Sequence, residues 1–385
     1  MKIVYVYPHF VSQAGTQRVL IDKMNYLATV PGYEVYMVTN EQENRPFSYP
    51  LNPSVIHIDL KVHFYLLFDY NRIVRLFKSI SFNRRLKRSY DALMKELNPD
   101  IVITTTYHSN LMSVVGDCTS PYIRILESHI DKRFILDNDP LNQKSFLRWL
   151  HTKYQMHVIN RKSRKFDLLV ALMKEDATDW SRYVKTVVIR NVVHLNETGR
   201  LSDLQSKRVI FVGRYTEQKG IPELFQIWEQ VYQKHPDWQL DLYGGGHLRD
   251  ELRAEANRLQ ANIIIHDPAK DVFEHYIESS IFVLTSVYEP FGLVIPEAMS
   301  CGLPVVSFDC PYGPANIIKE GETGFLIANR DKTAFADKVC SLIESPSLRH
   351  KMGKAAVQSS LLFSAENIMP QWLALFEKLV EEHRA

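Results

Sequence analysis

Short apolar runs alternate with longer amphipathic segments along this chain, and the pattern occurs twice. In the first half the runs fall at residues 3–7, 35–39, 101–106, 122–126, 168–172 and 187–190. Between the first two, residues 17–27 space their apolar positions three and four apart, the period of a helix with one buried face. A polar linker at residues 196–203 opens a second series, at 209–212, 240–243, 263–266, 281–286, 304–308 and 325–327. Strands that alternate with helices predict mostly parallel, doubly wound sheets, an α/β fold. At 385 residues the chain is too long for one ordinary core, so each series is expected to build its own domain, at 1–196 and 203–367.

The second series carries the densest chemistry. Between its last two long runs stands Tyr288-Glu289-Pro290-Phe291-Gly292-Leu293-Val294-Ile295-Pro296-Glu297-Ala298-Met299-Ser300-Cys301-Gly302. Pro290 stops the preceding element, Pro296 suits the first turn of a helix, and Gly302 suits its far end. Glu289 is thereby expected on a loop and Glu297 in the first helical turn, with the Phe291-Gly292 bend bringing them near each other. The amides between them lack strand or helix partners and, with the helix N-terminus, attract an anion. A phosphate flanked by carboxylates that bind sugar and ribose hydroxyls fits this arrangement.

Other turns also follow predicted strands. In Val212-Gly213-Arg214-Tyr215-Thr216-Glu217-Gln218-Lys219-Gly220, Arg214 can fork onto two phosphate oxygens and Lys219 supplies a point charge. Tyr243-Gly244-Gly245-Gly246-His247 is a glycine turn at the carboxyl end of a strand, a common ligand position. It lacks a full Gly-x-Gly-x-x-Gly with a later acidic residue, which disfavours a nicotinamide cofactor. Near the N-terminus, Ala14 and Gly15 before a helix serve either an ordinary turn or close approach to a phosphate or acceptor. Ile125-Leu126-Glu127-Ser128-His129 ends another strand, and His129 is either structural or ligand-facing. Asp137-Asn138-Asp139 has the form of a metal-binding Asp-x-Asp, but its polar loop setting reads as a turn.

Glu289 and Glu297 have the Glu-x7-Glu spacing of family-four retaining glycosyltransferases, the group 1 enzymes of the GT-B fold, which this chain resembles. The match continues through residues 297–309 and 313–327, covering the C-terminal half well and the N-terminal half loosely. The resemblance implies two Rossmann-like domains facing across a cleft. Residues 1–196 would bind the acceptor and 203–367 the nucleotide sugar, with a C-terminal helix at about 368–385 packing back on the first domain. It further implies transfer of a hexose from a UDP-, GDP- or ADP-linked sugar to an acceptor hydroxyl, with retention through front-face attack. In that reading Arg214 and Lys219 stabilise the departing diphosphate, Glu289 holds the sugar hydroxyls and Glu297 the ribose. Phe291, Gly292, Leu293, Gly244, Gly246 and Gly15 lie near the donor, and His129 near the transferred sugar or acceptor. No cofactor and no metal is implied, the two cations taking a metal's place. Ala14 and Gln17 depart from the two glycines and glutamate common in the family. Lys219→Ala is expected to lower turnover far more than it disturbs folding. A nucleotide-sugar 2-epimerase shares the architecture, and a silent nucleotide- or carbohydrate-binding module would share the surface; the intact glutamates and cations argue against the silent module.

Charge divides unevenly. Residues 1–200 carry 28 Lys and Arg against 19 Asp and Glu, and the remainder 18 against 25, so the net +2 hides a basic first half. Such a half suits an acidic or anionic partner. Phe64-Tyr65-Leu66-Leu67-Phe68 leads into Arg72, Arg75, Lys78, Arg84, Arg85, Lys87 and Arg88, which fits either a solvated basic face or a helix lying on an anionic membrane. Aromatics are not spaced for base stacking, so no nucleic acid is expected. No stretch approaches the roughly 18 apolar residues of a membrane span, and the first residues run into a strand without a cleavage-site pattern. Cys118, Cys301, Cys310 and Cys340 form neither a close pair nor a metal spacing, as in a reducing compartment. A cytoplasmic enzyme is expected, working on a glycan or lipid-linked acceptor in cell-surface polysaccharide or glycolipid synthesis. Peripheral contact with the inner membrane face would run through the basic half.

Overall fold

A computed structural model describes residues 1–12, 14–129, 132 and 146–384. The chain divides into two compact units, Met1–Val192 with Ile368–Ala385, and Val193–Asn367.

The first unit is built on seven parallel strands: β1 (Lys2–Val6), β2 (Glu34–Thr39), β3 (Ile56–Asp59), β4 (Ile101–Thr105), β5 (Ile123–Ser128), β6 (Leu168–Ala171) and β7 (Thr186–Val188), in the order β3-β2-β1-β4-β5-β6-β7. Ile3 at the centre faces Val35 on one side and Ile101 on the other. Apolar runs without alternation are what a sheet covered on both faces requires. On one face Val4, Val38, Val102 and Leu126 share a core with Leu86, Tyr90 and Met94 of helix Arg72–Leu97. The last helix, Ala365–Arg384, buries Ile368, Met369, Trp372, Phe376, Leu379 and Val380, and its Arg384 reaches Asp100 at 3.2 Å. β3 was not among the expected strands. Its Ile-His-Ile-Asp sequence alternates, none of the four residues is fully buried, and among the described residues it pairs with β2 alone, at the sheet edge.

The second unit holds six parallel strands: β8 (Arg208–Val212), β9 (Gln239–Tyr243), β10 (Ile263–His266), β11 (Ile281–Leu284), β12 (Val305–Phe308) and β13 (Gly324–Ile327), ordered β10-β9-β8-β11-β12-β13. Chain direction across the sheet reverses between β8 and β11. Connections leave these neighbours toward opposite faces, so a crevice opens beyond their carboxyl ends, where open α/β sheets bind ligands. That point fixes where the chemistry of this unit gathers.

Candidate active site

The loop after β8 enters a 3-10 turn at Glu217–Lys219, and helix Ile221–Lys234 follows with Pro222 in its first turn. The loop after β11 runs alongside. Val287 donates its amide to the Gln218 carbonyl at 2.8 Å, the Gln218 side chain donates to the Tyr288 carbonyl at 3.1 Å, and Thr285 Oγ1 donates to the Lys219 carbonyl at 3.0 Å. This stitching turns Lys219 inward. Its ammonium pairs with Glu289 Oε1, which also accepts from Ser286 Oγ at 2.6 Å. Lys219 is 8% exposed and Glu289 5%, so two charges 70 positions apart form a buried pair at the sheet's switch point. Arg214 stays exposed and donates to Gln218 Oε1 at 3.1 Å.

The β12 loop closes against the same residues. Gly313 donates to the Glu289 carbonyl at 2.8 Å, and any side chain there would collide with the Phe291 carbonyl. Gly292 bends the chain with φ +88, as the sequence led one to expect, and helix Val294–Ser300 begins two residues later with Glu297 in its first turn. Among the described residues nothing accepts from the amides of Gly292 and Leu293. Two unsatisfied donors beside a buried ion pair are suited to phosphate oxygens. Glu297 receives a long 3.5 Å hydrogen bond from the Tyr276 hydroxyl, whose pKa burial, and then the carboxylate, pushes well up. Phe291 turns its ring away, packing edge-on against Phe363 at 5.6 Å between centroids, so it offers a ligand backbone only.

Gly244 and Gly246 have a packing reason to be glycine. A Cβ on Gly244 would strike the Gly213 carbonyl, and one on Gly246 the backbone of Tyr215. The β8 and β9 loops therefore lie backbone against backbone beside Arg214. Several neighbours escaped the sequence reading. Arg330 donates to the carbonyls of Ser286 at 2.8 Å and Thr285 at 3.0 Å, holding the β11 loop in place. Tyr243 stacks between His266 at 4.2 Å and His275 at 4.1 Å, an aromatic column at the end of β9. Only its position at a strand's carboxyl end could have flagged it.

In the first unit Gly15 opens helix Gly15–Leu27 and is exposed, whereas Gln17 is buried and accepts from the Ser12 amide at 3.1 Å, fixing the preceding loop. His129 lies just past β5, its Nε2 2.9 Å from Glu127 Oε2, and Glu127 Oε1 meets Lys23 Nζ at 2.5 Å. Lys23 also lies 3.5 Å from the centre of the Trp372 ring. Burial pushes the Glu127 carboxyl up, but Lys23 and His129 together outweigh it and hold it down at about 2. An ionised carboxylate only accepts, so His129 Nε2 carries a proton and Nδ1 is the nitrogen left for other chemistry.

Among the described residues no three of His, Cys, Asp and Glu converge as metal ligands, and no helix is long and apolar enough to cross a membrane. Asp137-Asn138-Asp139 lies outside the described residues. The four cysteines are buried, and burial pushes the Cys301 and Cys310 thiols up to about 12.

Residues 197–359 match the family described as glycosyl transferases group 1. That match, which spans most of the second unit, and the two parallel sheets liken the chain to group 1 glycosyltransferases of the GT-B fold. It is 27% identical over 376 residues to an uncharacterised glycosyltransferase of Haemophilus influenzae, covering 96% of this chain and 98% of that one. It is 33% identical to the amylovoran biosynthesis glycosyltransferase AmsD of Erwinia amylovora, but over 46% of this chain and 51% of that relative, about half its length. Among solved structures, an S. aureus TarM mutant in complex with fondaparinux, α-GlcNAc-glycerol and UDP aligns with a TM-score of 0.76 at 16% identity. That alignment covers 97% of this chain and 99% of TarM.

Proposed function

We propose that this glycosyltransferase moves a hexose from a nucleoside diphosphate sugar to an acceptor hydroxyl with retention of configuration, in the synthesis of a cell-surface polysaccharide or glycolipid. The observation that carries the reading is the stitched pair of loops at the β8/β11 switch point, which holds the Lys219–Glu289 pair together, ties Arg214 to the same loops through Gln218, and leaves the Gly292 and Leu293 amides unpartnered among the described residues. In the reaction the bond from the anomeric carbon to the diphosphate oxygen breaks as the acceptor oxygen bonds to the same face. The acceptor proton passes to the departing phosphate. Arg214 and Lys219 stabilise the negative charge that grows there, and the two amides add fixed dipoles. Glu289 orients the sugar hydroxyls, Glu297 the ribose, and Gly244 and Gly246 keep the nearby backbone close to the donor. The first unit takes the acceptor side, with His129 near the transferred sugar or acceptor and Gly15 near the donor. The UDP in the TarM complex supports a UDP-linked donor, and the part AmsD plays in amylovoran biosynthesis supports a biosynthetic role. The first unit's excess of cations is taken to meet the membrane surface that carries the acceptor.

Thermal unfolding with UDP, GDP and ADP and their sugars tests the donor. One nucleotide at about a hundred times its Kd is expected to raise the midpoint by roughly 5 °C or more, because a ligand of the native state alone stabilises it. If none of the three shifts the midpoint, the donor assignment fails. Turnover is expected to be unchanged in EDTA, with the cations in a metal's role. Activity that vanished in chelator and returned with manganese would overturn that part.

A further inference from the structure

Helix Arg72–Leu97 is two things along its length. Its second half is anchored by Leu86, Tyr90 and Met94, each 0% exposed. Its first half leaves Ile73 73%, Leu76 63%, Phe77 68% and Ile80 46% exposed, positions that share one helical stripe. Phe68, in the turn Phe64–Asp69 just before it, is 74% exposed. The Arg75 guanidinium pins that turn, donating to the carbonyls of Leu67, Phe68 and Tyr70 at 3.0 to 3.1 Å. Past Ile80 the stripe continues as Arg84 and Arg88 with Arg85 alongside. These three arginines, Phe77, Ile80 and Ser81 line a shallow depression of about 770 Å³. Lys87 pairs with Asp91, but Arg84, Arg85 and Arg88 have no acidic partner among the described residues.

A large exposed apolar stripe in a soluble chain marks a contact. The charges choose the partner. From residue 72 to 90 the helix carries seven cations and no acid, so a second copy applied to this face would be repelled. An anionic bilayer satisfies both halves of the stripe, because apolar side chains enter the acyl boundary while neighbouring cations meet lipid phosphates. We propose that this face is a membrane-docking surface, with Phe68, Ile73, Leu76 and Phe77 inserted and Arg84, Arg85 and Arg88 on the phosphates of anionic phospholipids. The proposal deepens the functional reading above and names the element that makes the contact. Its test contains no sugar donor, so its failure is distinguishable from failure of the transferase reading.

The test is co-sedimentation of the full chain with vesicles of phosphatidylglycerol and phosphatidylcholine in equal parts, and with phosphatidylcholine alone. Binding is expected to favour the anionic vesicles at least about tenfold and to fall with added salt. Arg84→Glu/Arg85→Glu/Arg88→Glu is expected to weaken it on the order of a hundredfold or more. Ile73→Ser/Phe77→Ser is expected to weaken it about tenfold or more, which a purely coulombic contact would not show. These side chains are exposed, so melting curves should match the unmodified chain; the Arg→Ala set serves where charge reversal alters them. Equal binding to both vesicle types, or no loss in the arginine variants, would overturn the proposal. So would a dimer, seen by sedimentation velocity, that Phe77→Ser dissociates while vesicles are ignored.

Discussion

Arg214→Ala is expected to lower kcat on the order of a hundredfold and to leave the unfolding midpoint unchanged. Removing one preorganised donor from developing negative charge typically costs that much, and Arg214 is exposed with one side-chain partner, Gln218. Lys219→Ala should lose activity comparably but should not leave folding intact. Its ammonium pairs with buried Glu289, and stranding one member of a buried pair costs about 3–5 kcal/mol. In the second unit that corresponds to a midpoint lower by roughly 10 °C. The expectation from sequence, that Lys219→Ala would act mainly on turnover, is corrected by this burial. Arg214 is the cleaner probe. Transfer kinetics and calorimetry on both variants separate the effects, and a fully active Arg214→Ala enzyme would remove this residue from the diphosphate.

The second large effect lies in the first unit. Glu127→Gln is expected to destabilise it by about 3 kcal/mol or more, because Lys23, 1% exposed, would be left buried without a counter-charge. Lys23→Met/Glu127→Gln should recover most of the loss, since removing both charges leaves nothing unpaired. The pH dependence has a definite sign. The folded value for Glu127, about 2, lies below the 4.5 of an unperturbed glutamate, so the pair's stabilisation is present above pH 4.5 and is lost as pH falls toward 2. Urea titrations at pH 7 and pH 3 should show the unmodified chain losing this share and the double variant not losing it. A Glu127→Gln chain as stable as the unmodified one at pH 7 would refute the argument.

Much of the architecture was legible because parallel strands buried on both faces announce themselves as apolar runs. β3 was not, since an edge strand needs only half of that pattern. Around the Lys219–Glu289 pair, the Gly292 bend and the place of Glu297 followed from proline and glycine chemistry, which is local. The pairings were not local. Lys219 meets Glu289 across 70 positions and Lys23 meets Glu127 across 104, and no spacing rule joins residues so far apart. The glycines after β9 were recognised as a turn, but their close approach to Gly213 and Tyr215 depends on a neighbouring strand's loop.

The first unit draws its final helix from the far end of the chain, and this sets the order in which the protein is completed. During synthesis the second unit can fold while the first still waits for Trp372 to cover Lys23 and for Arg384 to reach Asp100. A fragment ending at Val192 therefore exposes a buried charge, and one ending at Asn367 does the same. Swapping first units between relatives would require moving both ends of the polypeptide together.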